Sequence, residues 1–154
     1  MEIKKGIGVS SGMVVCQALL LSNDDLRIGR RAIPTNQIET ERKRLTEALS
    51  ASRQDIRVLR DETARDFGQE TGAIFDFHLG LLDDPTLLDQ FFQGIEKSRF
   101  TAEYAVSRTL REYSKQFLKQ PDAYFRERVK DIYDIERRLL AKLMVTDRTI
   151  ERLV

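Results

Sequence analysis

The sequence predicts a mainly α protein, an antiparallel helical bundle preceded by two short strands. Three observations carry that expectation. Apolar residues recur at helical steps along most of the chain after residue 35. Neither Gly nor Pro interrupts the stretch between Pro34 and Gly68. Gly68, Pro85 and Pro121 fall where one apolar stripe ends and the next begins.

The first 21 residues read as two strands. Ile3, Ile7 and Val9 surround Gly6 and Gly8, a turn follows at Ser10-Ser11-Gly12, and the apolar run Val14 to Leu21 suits a buried strand. Two strands alone are only marginally stable, so the sheet they should join is expected to be incomplete here. Residues 22–34 are a polar connector. A long helix then starts at Thr35 or Asn36, where Asn36 and Glu39 have the spacing of a capping box. Its stripe is Ile38, Leu45, Leu49, Ile56 and Leu59.

Gly68 ends that helix, and Gln69 to Leu82 forms a second. Asp84-Pro85 starts a third, with Asp as N-cap and Pro at the first helical position. It runs to about Lys97 with Leu88, Phe91, Phe92 and Ile95 inward. Thr101 caps a fourth helix with the stripe Ala102, Val106, Leu110, Tyr113 and Phe117, and Glu103 sits favourably in its first turn. Pro121-Asp122 breaks the chain. A fifth helix, from about Asp122 to Met144, lines up Phe125, Val129, Ile132, Leu139 and Leu143. The organisation expected is thus strands over 1–21, a helical subdomain over 22–144, and the start of a return toward the strands over 145–154.

The 154 residues are 41% hydrophobic and 33% charged, too apolar for disorder. No apolar run approaches about 18 residues, so no membrane span is expected. Met1 to Val15 has two lysines but no apolar h-region, so no signal peptide is expected, and a cytoplasmic location follows as the default. Cys16, the single cysteine, sits in an apolar run and reads as a small buried hydrophobe. The net charge of +1 conceals an asymmetry: residues 67–97 hold six acids and one base, residues 98–144 seven acids and eleven bases. An acidic block attracts basic partners and repels nucleic-acid phosphates.

That block contains the least ordinary segment, QETGAIFDFHLGLL. Ile74, Phe77 and Leu81 lie on one face, Phe75, Leu79 and Leu82 on another. One face packs on the bundle; the other either meets a partner or is buried as well. Asp76, Asp83, Asp84 and Glu70 form a charged border, the layout of a specific protein interface. Gly80 admits close backbone approach or is simply a weak point in the helix. His78, the only histidine, has no His or Cys nearby for a metal and no nucleophile at a useful spacing. It reads as a solvated side chain or a hydrogen-bonding member of a docking face. No P-loop, dinucleotide fingerprint or His/Cys cluster is present, so no catalytic residue is assigned.

Four stretches carry a family resemblance: GIGVSSG near Gly6, ETGAIFDFHLGLLDDPTL from Glu70 to Leu87, AEYAV from Ala102 to Val106, and YFRERVKDIYDIERRLLAKL from Tyr124 to Leu143. In order and over nearly the whole chain, they resemble the N-terminal part of Enzyme I, the phosphoenolpyruvate–protein phosphotransferase of the bacterial sugar phosphotransferase system. The resemblance implies a helical subdomain inserted into an α/β phosphohistidine domain. The helices dock HPr, a basic phosphocarrier, and a C-terminal barrel binds phosphoenolpyruvate and magnesium and makes the full-length protein a homodimer. The phosphorylated histidine lies downstream of all residues here, so the present residues are expected to hold no cofactor and to be inactive alone. Carried over, the HPr-binding positions are Gln69, Glu70, Ile74, Asp76, His78, Leu81, Asp84, Leu87, Arg128 and Asp131. Arg128 reads equally as an ion-pair partner of the flanking acids. Gln69, Gly80 and Ser11 depart from the family pattern: an acid, a larger apolar residue and the Pro of a Ser-Pro-Gly turn occur at those places. Two other readings stay open: a non-catalytic module that pairs with itself through the spare apolar face, and a paralogue serving nitrogen regulation or a dihydroxyacetone kinase system.

Overall fold

A computed structural model describes residues 28–150. The two strands expected over 1–21 lie outside the described residues. A 3-10 turn at Thr35–Gln37 leads into α1 (Ile38–Phe67), followed by α2 (Gln69–Leu82), α3 (Pro85–Glu96), α4 (Ala102–Leu118) and α5 (Ala123–Ile150). Among the described residues these helices make the whole architecture, apart from one isolated antiparallel bridge between Ala32 and Phe100.

The helices pair as hairpins because their joints are short. Gly68 alone links α1 to α2, at φ +94°, a backbone conformation other residues adopt with strain. The partners Ala64–Gly72, Arg60–Asp76 and Arg53–Asp83 then step in opposite directions along the two helices, which makes them antiparallel. A side chain at Gly72 would press on Ala64 Cβ at 3.1 Å, so glycine sets how closely α2 lies on α1. On the other side Ser107–Glu136 and Phe117–Phe125 mark α4 and α5 as a second antiparallel pair. The short helix α3 packs mainly on α4, and α1 touches every other helix.

The apolar stripes meet in one core. Leu45 and Ile56 of α1, Leu87, Phe91 and Ile95 of α3, Leu110 of α4 and Ile132, Leu139 and Leu143 of α5 are essentially without solvent contact. The caps of α3 and α4 form as expected: Asp84 accepts from Leu87 N at 3.0 Å, and Thr101 from Tyr104 N at 3.4 Å.

Two expectations are corrected. The capping box of Asn36 and Glu39 does not form. Pro34 starts a 3-10 turn that Gln37 N closes on Pro34 O at 3.0 Å, and the Glu39 carboxylate turns instead toward Arg42 at 3.7 Å. The fifth helix does not stop at Met144 but continues to Ile150, since neither Gly nor Pro follows to break it.

One polar cluster ties three helices together. Glu41 and Arg44, one turn apart on α1, meet the start of α4 and the late part of α5. Arg44 Nη1 donates to Glu41 Oε1 at 2.6 Å, and Nη2 donates to Glu103 of α4 and, at 3.1 Å, to the carbonyl oxygen of Leu143 on α5. Glu41 Oε2 in turn accepts from Ala102 N at 2.7 Å, satisfying an amide that the first turn of α4 leaves unpaired. Both carboxylates are buried. Removing one partner of such a cluster strands the other charges away from water. Arg44→Met is therefore expected to lower the unfolding free energy by about 3 kcal/mol or more. Urea denaturation checks this; a loss below about 1 kcal/mol, the range of an exposed ion pair, refutes the role given to the cluster.

Candidate docking surface

The apolar character of α2 comes from its position. It lies against α1 along its length and touches α3 and α5. Leu79, Leu81 and Leu82 are buried, and Phe75 and Phe77 are half-buried. The helix therefore does not keep one whole apolar face free. Ile74 is 44% exposed, whereas His78 and Leu81 are 7% and 6% exposed. Gly80 does face open space: a Cβ added there would meet nothing within 4 Å.

His78 of α2 lies against Asp131 of α5. Its Nε2 lies 3.6 Å from Asp131 Oδ1, and the other oxygen of Asp131 accepts from Arg128 Nη1 at 3.0 Å. The Arg128 guanidinium stacks over Phe77 at 5.2 Å and over Tyr124 at 4.8 Å. Such cation–π contacts contribute about 0.5–1 kcal/mol each at partly exposed sites. Of the two readings open for Arg128, the intramolecular one is thus realised, while the side chain stays half-exposed. Tyr124, exposed and one turn before Arg128, was not singled out from the sequence. Its signal was the spacing of four to an arginine on one helix face.

The acids divide by position. Glu70 is exposed beside the exposed Gln69 in the first turn of α2. Asp76 is exposed and holds only a long contact of 3.5 Å to Arg60. Asp83 pairs with Arg53 at 2.7 Å, and the half-buried Asp84 is engaged as the cap of α3. Leu87 and Asp131 are buried. Of the ten positions carried over from the family, Gln69, Glu70, Ile74 and Asp76 face solvent, Asp84 and Arg128 do so in part, and His78, Leu81, Leu87 and Asp131 support them from within. The outward result is an apolar strip of Ile74, Phe77 and Tyr124, crossed by Arg128 and bordered by exposed carboxylates on α2.

Among the described residues no three His, Cys, Asp or Glu side chains gather in a way that would hold a metal ion. No helix among them is long and apolar enough to cross a membrane.

The family model described as "PEP-utilising enzyme, N-terminal" matches residues 5–128. The chain belongs to that family. Among the family's curated members, the phosphoenolpyruvate-protein phosphotransferase of Listeria monocytogenes is 34% identical over 140 residues, which span 91% of this chain and 24% of the relative. That of Enterococcus faecalis is 34% identical over 144 residues, 93% of this chain and 25% of the relative. The chain thus spans about a quarter of the length of these PEP-utilising relatives. Two solved structures share the fold. A solution structure of Enzyme I gives a TM-score of 0.72 at 26% identity, over 79% of this chain and 49% of that one. The N-terminal domain of the nitrogen Enzyme 1 gives 0.70 at 31% identity, over 76% and 48%.

Burial holds the basicity of His78 below its ordinary value of 6.5, outweighing the attraction of Asp131 and Asp134, while Arg138 lowers it further. The unfolded chain therefore takes up the proton more readily. The contribution of neutral His78 to stability is complete above pH 6.5 and is lost as pH falls from there through the folded value. Because the chain has one histidine, its ring proton resonance follows this directly. A titration midpoint below 6.5 is expected; a midpoint at or above it refutes the burial argument.

Proposed function

We propose that this chain is the docking part of a phosphoenolpyruvate–protein phosphotransferase, and that it binds a small basic phosphocarrier of the HPr type. The observation that carries the reading is the outward strip of Ile74, Phe77 and Tyr124 beside the exposed carboxylates of Glu70 and Asp76, within a segment that holds six acids and one base. An apolar centre supplies affinity by desolvation, and the charged border steers a basic partner and sets its orientation. Family membership and the names of the relatives support the same reading.

The supporting residues act indirectly. Leu81 and Leu87 fix α2 and α3 against the core. Asp131 pairs with Arg128, and so keeps the guanidinium over Phe77 of α2. Asp84 orders the first turn of α3. A partner therefore meets a surface already in place, which limits the entropy lost on binding. Phosphoryl chemistry is assigned elsewhere in the parent enzyme. His78 is buried beside the carboxylate of Asp131, which would repel a phosphate on the ring.

The nitrogen-regulatory branch is the second reading, favoured by the 31% identity to the N-terminal domain of the nitrogen Enzyme 1. Sugar uptake is the first, as the Enzyme I resemblance implies. Titrating the phosphocarriers of both branches ranks them by affinity.

Calorimetric titration with a cognate HPr-type protein is expected to give saturable binding that weakens as salt rises. Ile74→Ala is expected to reduce affinity about tenfold, the loss typical of a central apolar contact. Absence of binding at low salt overturns the docking reading, and dimerisation that hides Ile74 in light scattering replaces it with self-association. Incubated alone with labelled phosphoenolpyruvate, the chain is expected to take up no label. Label found on His78 would overturn the assignment of chemistry elsewhere.

A further inference from the structure

At the end of the bundle where α3 turns into α4, five cations cluster. The segment before α1 runs beside that turn: Ile33 N donates to Arg99 O at 2.8 Å, Thr101 N to Arg31 O at 3.4 Å, and Ala32 bridges to Phe100. These contacts bring Arg30 and Arg31 alongside Lys97, Arg99 and Arg108. The guanidiniums of Arg30 and Arg108 lie 5.3 and 5.4 Å from the centre of the buried Phe100 ring. Among the described residues, none of the five lies within ion-pair distance of a carboxylate. Elsewhere the structure pairs its arginines freely, as at Arg44, Arg53, Arg128 and Arg137. Glu112 attracts Arg108 without lying within ion-pair distance of it, so the five cations keep a positive excess, which favours an anion.

Beside this cluster lies a cleft of about 280 Å³ between α3 and α4. Its lining is rich in residues that carry donors: Lys97, Arg108, Gln90, Gln93, Ser98 and Thr109. Gly94 forms part of the lining, where a Cβ would meet Ala105 Cβ at 3.0 Å, so the two helices approach closely at its floor. The acid in the lining, Glu112, is held by Lys115 at 2.8 Å.

We propose that this cleft binds a small phosphomonoester of a hydroxylated compound. A phosphate offers two charges and several terminal oxygens to a guanidinium fork and an ammonium from residues that line one cleft. The neutral amides and hydroxyls complete its hydrogen bonds. The cleft is larger than a phosphate group, and Glu112 at its edge accepts from a hydroxyl on the body of the ligand. The surface lies on α3 and α4, whereas the phosphocarrier strip lies on α2 and α5, so the two sites do not compete for residues.

The test is an amide chemical-shift titration of the whole chain with glycerol 3-phosphate, with inorganic phosphate, glycerol and sodium chloride at matched ionic strength as separate arms. Saturable shifts at Gln93, Gly94, Ser98 and Thr109 are expected, with a dissociation constant on the order of 1 mM. Lys97→Gln and Arg108→Gln are each expected to weaken binding about tenfold, and Lys130→Gln, on the exposed side of α5, to leave it unchanged. Lys97 is exposed, so its variant decides the matter even if loss of the Phe100 contact destabilises Arg108→Gln. Shifts that fail to saturate, that sodium chloride reproduces, or that survive Lys97→Gln overturn the proposal. Inorganic phosphate binding as tightly as the ester also overturns it, reducing the cleft to an adventitious ion only.

Discussion

The bundle depends on how Arg44 is surrounded. Three helices distant in sequence converge on this side chain, and each supplies a group that a guanidinium satisfies: a carboxylate from α1, a carboxylate from α4 and a backbone oxygen from α5. Hydrophobic contacts alone would allow these helices to slide, because leucine and isoleucine stripes tolerate small shifts of register. The fork does not, since its donors have fixed directions. The apolar core supplies the bulk of the driving force, and the polar cluster selects one arrangement of it.

Within this bundle α2 plays an unusual part. Its sequence is apolar nearly all round, yet only a strip of it reaches solvent. The reason is geometric. A 14-residue helix lying in the angle between a 30-residue and a 28-residue helix is enclosed on more than one side. Polar residues that sequence reasoning would place at a contact surface, His78 and Asp131, are buried where α2 meets α5.

The fold was largely legible because local rules governed it. Gly68, the Asp84-Pro85 start and the Thr101 cap each act within one helical turn, and the helix boundaries they imply for α2, α3 and α4 hold within a residue. Where context intervened, reading failed. Asn36 and Glu39 have capping spacing, but Pro34 preceded them and imposed a different turn. Nothing in a stripe of apolar residues reveals how many helices will surround it, so the burial of Leu81 and His78 could not be separated from exposure. Arg128 and Asp131 illustrate the same limit. Their spacing allowed an ion pair, but the third member, His78, comes from a helix about fifty residues earlier in the chain, a separation no local pattern encodes. The cation cluster around Phe100 was likewise invisible, since Arg30 and Arg108 meet only after the chain has folded back on itself.

The joint at Gly68 has a mechanical consequence. A loop of several residues can absorb a displacement by small rotations spread over many bonds. Here one residue with φ 94° and ψ 162° joins the helix that carries the outward strip to the longest helix of the bundle. With a joint of one residue, the start of α2 stays at the end of α1, and the pairs Arg60–Asp76 and Arg53–Asp83 then set the two helices against each other along their length. By the rise of about 1.5 Å per residue, the joint itself lies roughly 35 Å from Arg44, where α1, α4 and α5 are fastened together.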